Sequence, residues 1–168
     1  MFMSHMNGKT LWRTLSLAGI VAGAMAIGAT ASFAGECPAG KTVADGQGQK
    51  DAGMAAKDVT DTVLASTDLS KEMVALQDHL FRLRRLEIKP GGIVPWHSHG
   101  DRPAMIYIVS GEVTEYASTC AVPIVHRAGD VATEAHATSH WWKNLGKETV
   151  VLLSADLFPV ASPDHHMM

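Results

Sequence analysis

Two histidines separated by one residue are the clearest chemical signal in the sequence. His97 and His99 flank a serine, and side chains two residues apart on a β-strand point to the same face. Neutral imidazole nitrogens bind iron, nickel, copper and zinc ions. A third histidine from a later strand, His140, would complete a set of three nitrogen ligands. The pattern therefore predicts a divalent metal site built from two strands.

The residues around these histidines are patterned as short β-strands. From residue 80 to residue 158, apolar runs are separated by glycine-containing turns such as 90–92 and 129–130. No long amphipathic helix interrupts them, and this combination is typical of a sandwich or a barrel. The alternation changes parity at Arg84 and Arg85, which predicts a β-bulge there and places both arginines on an outer, salt-bridged face. We therefore expect an all-β domain.

The spacing of glycines and histidines resembles the two sequence motifs of the cupin family. The first motif has a glycine six residues before the H-x-H pair and another glycine after it, and Gly91 and Gly111 stand at these positions. The second motif has a glycine, a histidine and an asparagine, matched here by Gly129, His140 and Asn144. The agreement of two separate motifs indicates the fold more strongly than it indicates a reaction.

The resemblance covers residues 80–158 and implies a cupin-type double-stranded β-helix, also called a jelly-roll barrel. It assigns the metal to His97, His99 and His140. The ion would be iron, zinc, manganese, nickel or copper. A dioxygenase-like or isomerase-like enzyme acting on a small molecule is the activity that the resemblance implies. A non-catalytic module that binds a metal or a small ligand is the alternative, and cupins often pair as homodimers through strand edges.

The sequence departs from the family pattern at the position of a fourth ligand. Where the family has glutamate, this chain has Ala104. Three interpretations remain open: a three-histidine site as in cupins that resemble thiol dioxygenases, recruitment of Asp101 as a substitute carboxylate, or a barrel without metal that binds an organic ligand. His136 shares strand parity with His140 and is either an auxiliary ligand or a residue of the rim.

Aromatic residues near the predicted ligands are candidates for lining a pocket. Trp96, Tyr107 and Trp141 are the three candidates, since aromatic rings stack on small molecules. Trp141 is followed by a second tryptophan, so the two would face opposite sides of a strand. His126 lies near a strand end, and we expect it on the surface.

The N-terminus has the pattern of a secretory signal peptide at residues 1–34. A basic region precedes an apolar stretch, and small residues permit cleavage after Ala34. An uncleaved membrane anchor is the alternative. Cleavage predicts a periplasmic or secreted protein without stable insertion in the membrane. A lipoprotein is disfavoured because Glu36 stands directly before Cys37.

The remaining chain divides into a leader at 35–79, the barrel at 80–158 and a flexible tail at 159–168. Within the leader, residues 62–65 are a strand candidate, and Asp68 or Ser70 is a candidate cap for a short helix.

Two cysteines, Cys37 and Cys120, are present in the whole chain. An exported protein permits a disulfide between them, and two free thiols are the alternative. The formal net charge of −3 is not concentrated in blocks, which argues against a nucleic-acid partner.

Overall fold

The structure is a computed structural model that describes residues 36–135 and 138–160. The predicted signal peptide at 1–34, His136 and nearly all of the predicted tail lie outside the described residues. In the part of the chain that is described, no helix has the length and apolar character needed to cross a bilayer.

Eight antiparallel strands form one sheet, which confirms the predicted all-β barrel class. The order across the sheet is β5-β4-β7-β2-β8-β3-β6. The strand β1 lies off this path and pairs with β2. A single turn of 3-10 helix, Leu69–Lys71, follows β1. The strands are β1 (Lys57–Asp68), β2 (His79–Ser98), β3 (Ala104–Ser110), β4 (Glu112–Ala117), β5 (Ile124–Arg127), β6 (Val131–Glu134), β7 (Ser139–Lys143) and β8 (Val150–Pro159).

The first strand lies within residues 35–79, which the sequence assigns to a leader. It runs well beyond the 62–65 candidate and pairs with β2 from Asp68 opposite Leu80 onward. The carboxylate of Asp68 accepts a hydrogen bond from the backbone N–H of Ser70 at 3.1 Å, so this residue caps the short helix. The N-terminal half of the described chain therefore contributes to the sheet directly.

The core lies between the inward faces of the strands. Its largest apolar members are fully buried. They alternate with exposed or half-buried residues along β2, β3 and β8, as strand geometry requires. At about 25 cal/mol per Å² of apolar surface, burial of such side chains is the dominant stabilising contribution. These members are Leu86, Ile88, Ile106, Ile108, Trp142 and Leu152.

The inward face of β2 also carries a charge, which corrects the predicted bulge. Arg84 is 2% exposed and shares the inward parity of Leu86. Its guanidinium forms ion pairs with Asp61 at 2.6 Å and Asp156 at 3.2 Å. The parity of β2 is therefore regular at this point, and Leu83 faces outward. The prediction of an outer-face Arg84 was wrong because paired carboxylates offset the desolvation of the guanidinium. The bulge predicted on β2 is instead a register shift on β1, between Val63 and Ala65, opposite Arg84 and Leu83.

The glycines and the asparagine of the two motifs stabilise turns between strands. Gly91, Gly111 and Gly129 adopt positive φ angles of 75°, 84° and 94°, a region that glycine enters without steric cost. The side chain of Asn144 donates to the carbonyl oxygen of Ile88 at 2.8 Å. These residues set the connections between strands rather than the chemistry of a site.

Cys37 and Cys120 form a disulfide with Cα atoms 5.7 Å apart. The bond ties the segment before β1 to the turn that follows β4. The same segment is held by backbone hydrogen bonds, including Val43 N–H to Thr119 O at 2.9 Å and Gly48 N–H to Ser118 O at 2.8 Å.

Candidate metal centre

Three imidazoles converge inside the barrel. His97 on β2 lies directly opposite His140 on β7, and His99 follows immediately after the end of β2. The Nε2 atoms of the three rings form a nearly equilateral triangle, with separations of 3.1, 3.1 and 3.0 Å. The structure thus brings together the three histidines that the sequence predicts as ligands.

Acceptors at the opposite ring nitrogens assign the tautomers. The Nδ1 atom of His97 is 2.9 Å from the carbonyl oxygen of Pro95, and that of His99 is 2.7 Å from the carbonyl oxygen of Arg102. A carbonyl oxygen only accepts, so each Nδ1 carries the proton and donates. Both Nε2 atoms are therefore left with a lone pair directed toward the triangle.

The third ring is oriented by a carboxylate. The Nδ1 atom of His140 is 2.7 Å from Oε1 of Glu115. The indole N–H of Trp142 approaches the same nitrogen at 3.0 Å, but the shorter, charge-assisted bond fixes the proton between His140 and Glu115. Its Nε2 atom then also presents a lone pair, as metal-binding histidines do when a carboxylate accepts from the other ring nitrogen.

Three lone pairs about 3 Å apart repel one another unless a cation lies among them. The spacing also fits an ion: nitrogens about 2.1 Å from one metal are about 3.0 Å apart at right angles and about 3.4 Å apart in a tetrahedron. The observed 3.0–3.1 Å separations match the face of an octahedron. The donor set therefore fits a divalent transition metal with further coordination positions open.

Burial keeps two of the rings in the form that binds metal. It lowers the pKa of His97 well below its usual value, helped by the neighbouring His140 and His99. Burial likewise lowers the pKa of His99 to about 3, with His140 adding to the effect. Burial alone would lower the pKa of His140 too, but the carboxyl groups of Glu134 and Glu115 raise it. The most basic of the three rings is thus the one that a carboxylate orients.

A buried polar network lies behind His140. Glu115 accepts from His140 through one oxygen and from Nε2 of His126, also at 2.7 Å, through the other. Burial favours its neutral form, yet these two hydrogen bonds hold the pKa of Glu115 at about 2. The ring of His126 stacks on Trp142 with centroids 4.6 Å apart. The surface position predicted for His126 was wrong, since it is fully buried.

Another carboxyl group enters beside the alanine that replaces the glutamate of the family motif. Ala104 on β3 pairs with Glu134 on β6, and Glu134 is 3% exposed. Its Oε2 lies 3.4 Å from Nδ1 of His140, on the side of the ring away from the Nε2 triangle. Burial raises the pKa of Glu134 to about 8. The carboxyl group therefore supports a ligand rather than standing in the place of a fourth one.

Asp101 does not join the three histidines. It lies in the exposed turn between β2 and β3, and the groups of candidate ligands found among the described residues do not include it.

Of the three aromatic candidates, two face away from the histidines. Tyr107 is 47% exposed and lies on the outer face of β3, between the buried Ile106 and Ile108. Trp141 is on the face of β7 opposite His140, where its ring stacks on Tyr116 at 3.9 Å. Trp96 is half-buried near the end of β2. The tryptophan beside the site is Trp142 instead.

A cavity of about 230 Å³ reaches the polar network from the side covered by the N-terminal segment. Its wall combines carboxyl groups, threonine hydroxyls and small apolar side chains, a mixture that suits a small polar molecule. The lining residues include Glu36, Cys37, Thr42, Glu115, Glu134 and Thr138.

Sequence reasoning did not select Glu115 or Glu134 as parts of the site. The signal was present in the strand parity, because Glu115 alternates with Val113 and Ala117, which are both buried. An acidic residue in an inward register within a barrel is costly unless it has partners, and this is the reason to look for them.

A comparison with protein families agrees with the observed fold. The model of the cupin domain (Cupin_2) matches residues 84–156. Residues 84–156 form a domain of the cupin family. The matched region of this cupin contains all three histidines and both carboxyl groups of the network. No curated protein matches the chain.

The chain is similar to several solved structures at low sequence identity. The cupin domain of Schizosaccharomyces pombe Cnp3 is 18% identical with a TM-score of 0.48, and the match covers 60% of this chain and 65% of that chain. A Klebsiella pneumoniae protein with a double-stranded β-helix domain is 18% identical with a TM-score of 0.49, covering 65% and 84%. A predicted oxalate decarboxylase from Thermotoga maritima is 19% identical with a TM-score of 0.44, covering 62% and 99%.

The carboxylate behind His140 provides a test of the network. Glu115→Gln is expected to weaken divalent metal affinity by about 10- to 100-fold, because the partner that fixes the tautomer and basicity of a ligating histidine is lost. Zinc titration of the purified protein measures the change. Glu112→Gln is the matched control, since Glu112 is on the same strand with a side chain 54% exposed. Equal affinities of the two variants would remove Glu115 from the site.

Proposed function

We propose that this cupin binds one divalent metal ion through His97, His99 and His140 and uses it to act on a small molecule. The observation that carries the proposal is the convergence of three Nε2 lone pairs at 3.0–3.1 Å. Such an ion would polarise a bound substrate or bind dioxygen at its open positions. The protein's own contribution is to orient the three rings through partners at Nδ1 and to favour the neutral form of His97 and His99 by burial.

A non-catalytic metal- or ligand-binding cupin is the second candidate. The observation in its favour is Ala104, which provides no ligand atom where the family motif has a carboxylate. The carboxyl groups nearest to His140 are engaged behind that ring. A site with three protein ligands is nonetheless the usual arrangement of catalytic zinc, so the enzyme remains the leading proposal.

We also propose that the protein works outside the cytoplasm. The disulfide between Cys37 and Cys120 supports export, because such bonds persist in oxidising compartments. A mature protein that begins after Ala34 would retain both cysteines.

Metal analysis of protein purified without a histidine tag tests the function. We expect one ion per chain in the wild type and none in the His97→Ala/His99→Ala double variant. Consumption of oxygen or isomerisation of small organic acids and sugars by the loaded protein would favour the enzyme. Loading without turnover would favour the binding module. Wild-type protein that takes up no zinc, iron, manganese, nickel or copper would contradict the metal site.

A further inference from the structure

The chain segment before β1 is fastened to the turn between β4 and β5. This segment, residues 36–50, is called the strap below. An isolated β-bridge pairs Thr42 with Cys120, and the disulfide joins Cys37 to the same cysteine. Backbone hydrogen bonds link the strap to further residues in and beside this turn, namely Ala117, Ser118, Thr119 and Ala121.

A glycine allows the strap to approach the turn closely. The backbone N–H of Gly48 donates to the carbonyl oxygen of Ser118 at 2.8 Å. A Cβ atom at position 48 would lie 2.6 Å from the backbone nitrogen of Cys120 and 2.7 Å from the carbonyl oxygen of Ala117. Glycine is the residue that permits such a close approach of two backbones. The contact between the strap and the turn is therefore specified by the sequence.

A series of hydrogen bonds runs from the strap to the backbone beside His140. The carboxylate of Asp45 accepts from the hydroxyl of Ser118 at 2.5 Å. The hydroxyl oxygen of Ser118 in turn accepts from the backbone N–H of Ser139 at 3.0 Å. A hydroxyl has one hydrogen, so the bond to Asp45 leaves its lone pairs free for Ser139. Asp45 therefore orients the group that holds the residue immediately before His140.

The residue after His140 also contacts the strap. The indole N–H of Trp141 donates to the carbonyl oxygen of Lys50 at 3.2 Å, and its ring stacks on Tyr116 with centroids 3.9 Å apart. Tyr116 follows Glu115, whose carboxylate accepts from Nδ1 of His140. The strap thus holds the sequence neighbours of the third metal ligand and, through a stacked ring, a neighbour of the carboxylate that orients it.

The strap also contributes to the cavity of about 230 Å³ behind the metal site. Glu36, Cys37 and Thr42 of the strap line it together with Glu115 and Glu134 of the barrel. Both barrel carboxyl groups are only 3% exposed. Displacement of the strap would admit water to this cavity. Water raises the local dielectric constant and competes for hydrogen bonds, so the bond between Glu115 and His140 would weaken.

The disulfide is the covalent attachment of the strap. Two small thiols open it: they are oxidised to one disulfide, while Cys37 and Cys120 each gain a hydrogen atom. Cys37 is half-buried and Cys120 is fully buried, so a thiol attacks from the side of Cys37. Hydrogen bonds alone then hold the strap, and such bonds gain little over those that the same groups form with water.

We propose that the strap is a redox-dependent latch on the metal site, which keeps the backbone around His140 in place while the bond between Cys37 and Cys120 is closed. The inference rests on the proposed metal site and names how the affinity of that site is controlled. With the bond open, the strap detaches from Ser118, the backbone around residue 140 becomes mobile, and the metal is bound more weakly.

Zinc affinity of a variant without the disulfide tests the latch. We expect Cys37→Ser/Cys120→Ser to bind zinc at least about 10-fold more weakly than the oxidised wild type, as when the orientation of a ligating histidine is lost. Serine is used because free thiols would bind zinc themselves. Titration with a competing chelator measures both proteins. Equal affinities would overturn the proposal.

Asp45→Ala tests the same latch with the disulfide intact. Asp45 is exposed, so its removal leaves the core unchanged. We expect zinc affinity to fall by about 10-fold, whereas Asp45→Asn retains an oxygen that accepts from Ser118 and should bind zinc as the wild type does. Asp51→Ala is the matched control, since the carboxylate of Asp51 accepts from the backbone N–H of Gly53. Equal affinities of Asp45→Ala and Asp51→Ala would contradict the path through Ser118.

Hydrogen exchange of the metal-free protein separates this inference from the proposed function. The amide of Ser139 is expected to exchange at least about 10-fold faster in the double serine variant than in the oxidised wild type, because its acceptor is released locally. Amides in the pairing of β2 with β8 should exchange alike in both proteins. If the wild type takes up no zinc but Ser139 shows this difference, the metal site fails and the latch remains. If zinc binds and Ser139 exchanges equally in both proteins, the latch fails and the metal site remains.

Discussion

His140→Ala is expected to weaken divalent metal affinity by more than about 100-fold. This loss is larger than that expected for a variant that removes only the carboxylate bonded to a ligating histidine. His140 is fully buried and completes the triangle with His97 and His99. Without it, two nitrogens remain, and both come from the same end of β2. The loss should equal that of His97→Ala, because both rings contribute one Nε2 atom at the same spacing. Zinc titration with a competing chelator measures both variants.

His79→Ala is the matched control for this prediction. His79 begins β2, and its Nδ1 atom is 2.7 Å from the carbonyl oxygen of Gln77, at the end of the strand opposite to the triangle. Its affinity should equal that of the wild type. A His140→Ala protein that binds zinc as tightly as His79→Ala would show that the metal, if bound, does not use the barrel interior.

The histidine geometry was accessible from the sequence because it depends on local parity. Residues 97 and 99 are close enough in sequence that strand geometry alone fixes their common side. The position of the third ring required a pairing between distant strands, His97 with His140. Motif spacing provided that pairing, which periodicity alone does not contain.

The burial of charged side chains could not be predicted from the sequence in the same way. Arg84 interrupts an apolar alternation, and its partners Asp61 and Asp156 lie on two other strands. The sequence pattern treats a charge at an inward position as an error in register, so it predicted a bulge. Glu115 and His126 are equally hard to predict as buried residues. Burial of either polar side chain is costly unless the other is there to form the hydrogen bond between them.

The outer face of the sheet carries apolar side chains, whose exposure the sequence also did not predict. Phe81, Met105 and Tyr107 are 49%, 65% and 47% exposed, although apolar character suggests burial. Alternation fixes which residues share a face, but it does not say which face is inward when both contain apolar side chains. The aromatic pocket role predicted for Tyr107 fails for this reason.

Arg84→Met is expected to lower the free energy of unfolding by about 3–5 kcal/mol, because removal of one member of a buried ion pair leaves an uncompensated charge. The side chains of Arg84, Asp61 and Asp156 are 2%, 8% and 0% exposed. Asp156 keeps its two hydrogen bonds from Arg82, so most of the loss arises at Asp61. Urea-induced unfolding of the ligand-free protein measures the difference.

The adjacent arginine isolates the effect of burial. Arg85 pairs with Glu87 at 2.9 Å, but the two side chains are 47% and 45% exposed, and such pairs contribute about 0–1 kcal/mol. Arg85→Met should therefore change stability little on the same strand with the same substitution. The double variant Arg84→Met/Asp61→Leu should recover part of the loss, since it removes the carboxylate left unpaired. If Arg84→Met were no more destabilising than Arg85→Met, the charged interior of the barrel would not contribute to its stability.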